Sequence, residues 1–238
     1  MNKNSYILRF ARRLKRYFYA LQGKDFFTLP NKNAEAKGFI RLGTPYGGWV
    51  CKADKIDHSS TVYSFGVGTD ISFDLELIAL RGCRIHAFDP SFESADWIKT
   101  QTSSDKFSFY PYGLGNFDGT LSFRKPGVRG YYSPSAVFSY PGKGQNLPVY
   151  TLKTIMKNLG HSGIDLLKID IEGAEYLALE NFLSDNIYPK QLLVEFHHRM
   201  KGVGIKKTQN MIRLLTEHGY EIADVSPRGE EFTFIRRA

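Results

Sequence analysis

Ten consecutive residues, Leu166-Leu167-Lys168-Ile169-Asp170-Ile171-Glu172-Gly173-Ala174-Glu175, constrain the fold of this chain more than any other stretch. The run from Ile164 to Ile169 is apolar except at Asp165 and Lys168, as expected of a strand buried on both faces of a parallel sheet. Asp170 and Glu172 then fall at the strand's carboxyl end, where open α/β sheets bind ligands. Gly173 permits a sharp turn, and Ala174 to Leu183 continue with helical spacing. A strand-end acid needs a partner, which makes Asp170 a candidate functional residue. The plainer reading of Glu172 to Glu175 is decoration of a helix N-terminus, where acids are favoured.

A second unit lies upstream. Thr61 to Phe65 reads as a strand ending in the turn Gly66-Val67-Gly68, followed by a helix from about Ser72 to Leu80. Arg84 to Phe88 is the next strand and closes on Asp89-Pro90. Strand, glycine turn, helix, strand and acid in that order form the nucleotide half of a Rossmann-type fold. The glycines let backbone approach a ligand, and Asp89 is placed to accept ribose hydroxyl protons. A dinucleotide site wants a third glycine where this chain has Ile71, which speaks against an NAD-dependent oxidoreductase.

The Asp170–Glu175 stretch, with Leu166 to Ile169 before it, resembles the signature of FkbM-type methyltransferases, and the likeness runs from about Val62 to the C-terminus. The resemblance implies an S-adenosyl-L-methionine-dependent enzyme of class I methyltransferase architecture, often acting on sugar hydroxyls. Gly66-Val67-Gly68 is similar to the first motif of such enzymes, with two departures. Ser64 stands where an acid is usual, and Asp70 where a third glycine is usual. Asp70 is expected to contact the methionine ammonium of the cofactor by a charge-assisted hydrogen bond, to N-cap the following helix, or both. The expected cofactor set is therefore Ser64, Gly66, Gly68, Asp70, Asp89 and Leu114, the last from the Tyr112–Leu114 loop that borders adenine in this fold class.

The remaining elements complete the sheet. Ser91 to Gln101 reads as a helix, Phe107 to Tyr112 as a strand and Thr120 to Arg124 as an added strand. Residues 125–148 carry four prolines and four glycines and read as a lid or acceptor loop, with Tyr131 and Tyr132 as sugar-stacking surfaces. A helix over Thr151 to Leu159 capped by Gly160, a strand over Lys190 to His198 and a helix over Ile205 to His218 follow. The last two strands, Tyr220–Val225 and Glu231–Ile235, flank a tight turn and must be antiparallel. The expected fold is an α/β Rossmann-like sheet of seven strands, mostly parallel, with the last reversed.

Charge and composition limit the partners. The formal charge is +8, but residues 1–22 hold Lys3, Arg9, Arg12, Arg13, Lys15 and Arg16 and no acid, leaving +2 elsewhere. Nucleic acid is thus an unexpected partner for the main domain. Tyr6 to Leu21 has the pattern of a basic amphipathic helix, which either docks on its own domain or makes peripheral contact with an anionic membrane. The chain divides into this helix (1–22), an irregular extension (23–60) and the methyltransferase domain (61–238). Cys51 and Cys83 form no metal or disulfide pattern, and no apolar run approaches the ~20 residues of a membrane span. A cytoplasmic enzyme is expected, with membrane association through residues 1–22 as the alternative.

Neighbouring parallel strands lie ~4.8 Å apart. Asp170 and Glu172 should therefore face Glu195, His197 and His198. His197 or Asp170 is the expected base for an acceptor hydroxyl, with Glu195 beside them. Alternatively, Asp170, Glu195 and His197 hold Mg²⁺ or Mn²⁺ that acidifies a sugar diol. The competing functions are an RNA or small-metabolite methyltransferase and a non-catalytic Rossmann-like binding module.

Overall fold

The computed structural model describes residues 14, 17–23, 25–26, 38–101, 104–124, 133–134, 144–200 and 202–237. Seven strands form the central sheet: β3 (Thr61–Phe65), β4 (Arg84–Phe88), β5 (Phe107–Tyr110), β10 (Leu166–Ile169), β11 (Gln191–Glu195), β12 (Tyr220–Val225) and β13 (Glu231–Arg236). Their spatial order is β12-β13-β11-β10-β3-β4-β5. Every pairing is parallel except those of β13, which is antiparallel to both β11 and β12. The expected seven-stranded sheet with one reversed strand is present. Ser226 to Glu230 is too short for a crossover, so β13 turns back and inserts between β12 and β11.

Alternation along the strands divides the core into two layers. Tyr63, Phe65, Leu167, Ile169, Leu192 and Val194 face α3 (Leu152–Leu159), α4 (Glu175–Ser184) and α5 (Ile205–Glu217). Val62, Ile85, Leu166 and Leu193 face α1 (Ser72–Arg81) and the hairpin of β1 (Ile40–Leu42) and β2 (Trp49–Cys51). Each large apolar side chain buried there is worth ~1.5–3 kcal/mol. The hairpin supplies Leu42, Trp49 and Cys51 to the same core as β3, so the described part of residues 23–60 packs as one body with the domain. On the other side, Phe26 packs its ring against His198 and Phe232.

Helix limits follow local chemistry. Ser91 accepts a hydrogen bond from Ser94 N–H at 3.2 Å and caps α2 (Phe92–Lys99). Thr151 caps α3 in the same way, and Gly160 ends it in the left-handed region at φ +72°.

The stretch after β5 differs from expectation. Gly113–Leu114 (β6), Gly119–Arg124 (β7), Ser133–Pro134 (β8) and Gln145–Tyr150 (β9) form a separate four-stranded sheet in the order β6-β9-β7-β8. Residues 145–148, read from sequence as loop, lie in β9 and pair with β7. Pro148 argues against a strand in sequence, but Leu147 and Val149 point inward beside Phe123 and close a small core of their own. Residues 125–132 and 135–143 of the expected acceptor loop, including Tyr131 and Tyr132, lie outside the described residues, as do most of 1–22. Among the described residues, no helix is long and apolar enough to cross a membrane.

Candidate active site

The carboxyl ends of β3, β4, β10 and β11 open onto one cavity of ≈ 490 Å³, within the roughly 300–1,000 Å³ range of small-molecule sites. The interlock of two turns shapes its floor. Gly66 has φ +74°, and a Cβ there would fall 1.5 Å from the carbonyl oxygen of Asp170. Asp170 N–H donates to Phe65 C=O at 3.1 Å, and Gly66 N–H donates to Phe88 C=O at 2.9 Å. The steric demand for glycine at 66 therefore comes from the Asp170 backbone as much as from any ligand. Gly68 is different: at φ +52° its missing Cβ faces open space.

The half of the cavity at the glycine turn gathers five of the six residues expected at the cofactor: Gly66, Gly68, Asp70, Asp89 and Leu114. Asp89 Oδ1 accepts from Ser91 N–H (2.9 Å) and Ser91 Oγ–H (2.7 Å), while Oδ2 accepts from Gly68 N–H (2.9 Å). A carboxylate oxygen has two lone pairs, so Oδ2 retains acceptor capacity for a ribose hydroxyl. Asp70 accepts from Ser72 N–H (2.9 Å) through Oδ1 and from Thr44 Oγ–H (2.6 Å) through Oδ2. It thus tethers the α1 entry to the β1–β2 turn, and a Cβ at Gly47 would fall 2.5 Å from its Cγ. Ser64 does not line the cavity. Strand alternation turns it into the α1 layer, fully buried, beside the Asp74 carboxyl. The open glycine turn, the acceptor at Asp89 and the apolar wall at Leu114 fit an adenosyl group.

The second half is built on Glu175. This side chain is 0% exposed, and its two oxygens are fully engaged. Oε2 accepts from Gly173 N–H at 2.8 Å, and Oε1 accepts from His197 N–H at 2.9 Å and faces His197 Nδ1 at 3.3 Å. Glu175 therefore orients the imidazole and points Nε2 at Glu172 Oε2 (3.5 Å) and Asp170 Oδ1 (3.8 Å). Glu172 sits at φ +53°, a conformation that costs a non-glycine residue of order 1–3 kcal/mol and is found at functional sites. The turn projects its carboxylate back over the histidine.

Electrostatics follow from burying several acids together. Burial pushes Glu172 up to about 7, with Asp170 and Glu175 adding to the rise and His197 opposing it. Burial raises Glu195 to about 9, reinforced by Asp170, Glu231 and Glu230. Asp170 is also raised by burial, against the pull of Lys168, His197 and Glu195. Burial would lower His197, but Glu175, Asp170 and Glu172 outweigh it and raise the imidazole well above its usual value. The three carboxylates thus favour the protonated imidazole, which weakens His197 as a free base.

His198, expected beside Asp170 and Glu172, lies past the end of β11 and outside the cavity. Its Nε2 lies 3.3 Å from Asp25 Oδ1, and Arg199 clamps the same carboxylate at 3.0 Å through both oxygens. Sequence reading did not place Glu175, Lys168, Arg199, Arg228, Glu230 or Glu231 at the site. Glu175 closes the signature stretch, and a lysine inside a buried strand was itself a signal for Lys168, whose Nζ lies 5.3 Å over the Trp49 ring. Glu230 and Glu231 arrive because β13 is reversed, so its beginning meets the end of β11, with Glu231 opposite Glu195.

The family model described as "Methyltransferase FkbM domain" matches residues 16–222. Two curated relatives, each described as "Probable methyltransferase-like protein 24", come from Rattus norvegicus and Homo sapiens. Each is 27% identical over 153 residues, which is 63% of this chain and 36% of the relative. The chain thus matches only about a third of the length of those relatives. A solved structure described as an rRNA methylase from Streptococcus thermophilus aligns with TM-score 0.44 and 10% identity over 78% of this chain and 92% of that one. The family match spans both halves of the cavity, from the Gly66 turn to His197, and with it this chain belongs to the FkbM methyltransferase family.

Proposed function

We propose that this protein transfers a methyl group from S-adenosyl-L-methionine to an oxygen of its acceptor, with a sugar or glycan hydroxyl as the acceptor class. The observation that carries the reading is the single cavity joining the Gly66–Asp89 half to the Asp170–His197 half. When bound, the cofactor supplies an electrophilic methyl group. Asp89 Oδ2 holds the ribose, and Leu114 borders the adenine. Asp70 already bonds Ser72 and Thr44, so any contact with the methionine ammonium shares those oxygens.

An alcohol must lose its proton as the new bond forms. The carboxylates around His197 favour its protonated form, so the proton passes to a carboxylate, Glu172 or Asp170. A group poised near neutrality suits such a transfer, and Glu172, at about 7, meets that condition. His197, fixed by Glu175, keeps the two carboxylates in place. The sugar class itself is supported by the family resemblance alone.

Calorimetric titration with S-adenosylhomocysteine tests the cofactor assignment, beside Asp89→Ala and with NAD as control. Saturable binding by the wild type, weakened at least about tenfold in Asp89→Ala, is expected for loss of a charge-assisted hydrogen bond. A folded wild type that binds neither ligand would overturn the enzyme reading and favour the binding module.

A further inference from the structure

We propose that Asp170, Glu172 and His197 form a binding site for one divalent cation of the Mg²⁺/Mn²⁺ class at the acceptor end of the cavity. The inference rests on the methyl-transfer reading and refines it. One ligand atom from each residue lies within 4.8 Å of the other two. His197 Nε2 stands 3.5 Å from Glu172 Oε2 and 3.8 Å from Asp170 Oδ1. A triangle with these two sides and a third of at most 4.8 Å has a circumradius of about 2.4 Å, so a cation fits about 2.4 Å or less from all three atoms. Small inward rotations of the side chains bring this to the ~2.0–2.2 Å of such ions.

The histidine supplies an observation independent of the acids. His197 is only 9% exposed, yet Nε2 is aimed into the cavity with its neighbours at 3.5 and 3.8 Å, beyond a normal hydrogen bond. Its other nitrogen faces the fully buried Glu175, which also holds the His197 backbone and Gly173. A carboxylate behind a histidine whose other nitrogen points at oxygen ligands is the outer-shell arrangement of metal-binding histidines, and a cation bound there displaces the proton on Nε2. The Gly66–Asp170 interlock packs the backbone of one of the three ligands against the glycine turn.

The site differs from the expected Asp170, Glu195 and His197 set. Glu195 and Asp170 perturb one another's carboxyls, whereas the turn at Glu172 brings that carboxylate to 3.5 Å from His197 Nε2. Two carboxylates and one imidazole leave about three positions of an octahedral shell open. Neighbouring acceptor hydroxyls and water are the hard oxygen ligands suited to them. A carboxylate that binds the ion through one oxygen keeps the other free to accept a proton.

Mn²⁺ titration of the full chain, followed by electron paramagnetic resonance, tests the site without recourse to activity. Glu172→Gln, His197→Gln and Glu175→Gln are measured in parallel, with thermal unfolding as a check on folding. One bound Mn²⁺ per chain is expected, with affinity reduced about 10- to 100-fold in the outer-shell variant Glu175→Gln and at least as much in the other two. A folded wild type that leaves Mn²⁺ free, or variants that bind it as well as the wild type, would overturn the proposal. S-adenosylhomocysteine binding separates the two ideas. Binding of that ligand without Mn²⁺ sinks the cation site alone, whereas Mn²⁺ binding without it keeps the cation site and removes the methyltransferase reading.

Discussion

At the scale of single residues, the site depends on where side chains are missing as much as on where they are present. Gly66 and Gly160 share nearly the same backbone, φ +74° and +72°, but a Cβ at 66 meets the Asp170 carbonyl oxygen at 1.5 Å while one at 160 meets nothing within 4 Å. Gly160→Ala should cost about 1–2 kcal/mol, the penalty for the left-handed conformation. Gly66→Ala should cost more than about 3 kcal/mol, because overpacking against backbone is added. Urea unfolding of both variants checks this; equal losses would show that the two turns yield freely. Glycine at 66 was legible in sequence as part of a turn motif. Its neighbour was not, because contact between residues 66 and 170 exists only once β3 and β10 are paired.

Among the elements, the added four-stranded sheet shows how secondary structure can be hidden from a sequence reading. Proline and glycine made residues 125–148 look like one loop, yet β9 carries Leu147 and Val149 inward at the two-residue spacing of a strand. The sheet is joined to the main domain where α3 begins. Asp118 accepts from Thr151 N–H (2.8 Å) and from Thr154 Oγ–H (2.7 Å), and Thr151 Oγ accepts from Thr154 N–H (3.3 Å). Thr151→Ala removes the cap and should lower stability by about 1 kcal/mol. S-adenosylhomocysteine affinity should stay unchanged, because the cap lies outside the cavity. Denaturant midpoints and calorimetry on the same variant test both statements. A loss of affinity would mean that the α3 entry shapes the site.

Across the whole molecule, two buried titratable groups pull stability in opposite directions. Burial raises Asp74 to about 6, against the pull of Lys168 and the Ser64 hydroxyl. Between its unfolded value near 3.8 and about 6 the folded state binds the extra proton, so this stabilising contribution is lost as pH rises through that window. Burial lowers His86 to about 4, helped by His161 and Arg84. Between about 4 and 6.5 the unfolded state binds the extra proton, so this contribution is lost as pH falls. Asp74→Asn should therefore steepen acid destabilisation between about pH 6 and 4, and His86→Phe should flatten it. Each pKa unit is worth about 1.4 kcal/mol, discounted at His86 for its partial exposure. Denaturant unfolding across that pH range gives the slopes. Parallel profiles for all three proteins would remove both groups from the account.

Sequence alone determined the fold class, the reversed last strand and the strand ends where the chemistry had to lie. These follow from local patterns: apolar runs, alternation, glycine turns and the loop length that forbids a crossover. It also determined that Asp89, Asp170 and His197 belong to one edge of the sheet. Only the tertiary structure decided what those groups can do. Glu175 is as polar in sequence as any acid at a helix start, but packing seals it behind His197. The three carboxylates gathered around that histidine then outweigh its burial and favour the protonated ring. Ser64, expected at the cofactor, was taken into the core by the side of the sheet it faces. Burial and charge proximity depend on residues far apart in the chain, and they come into being only when the sheet assembles.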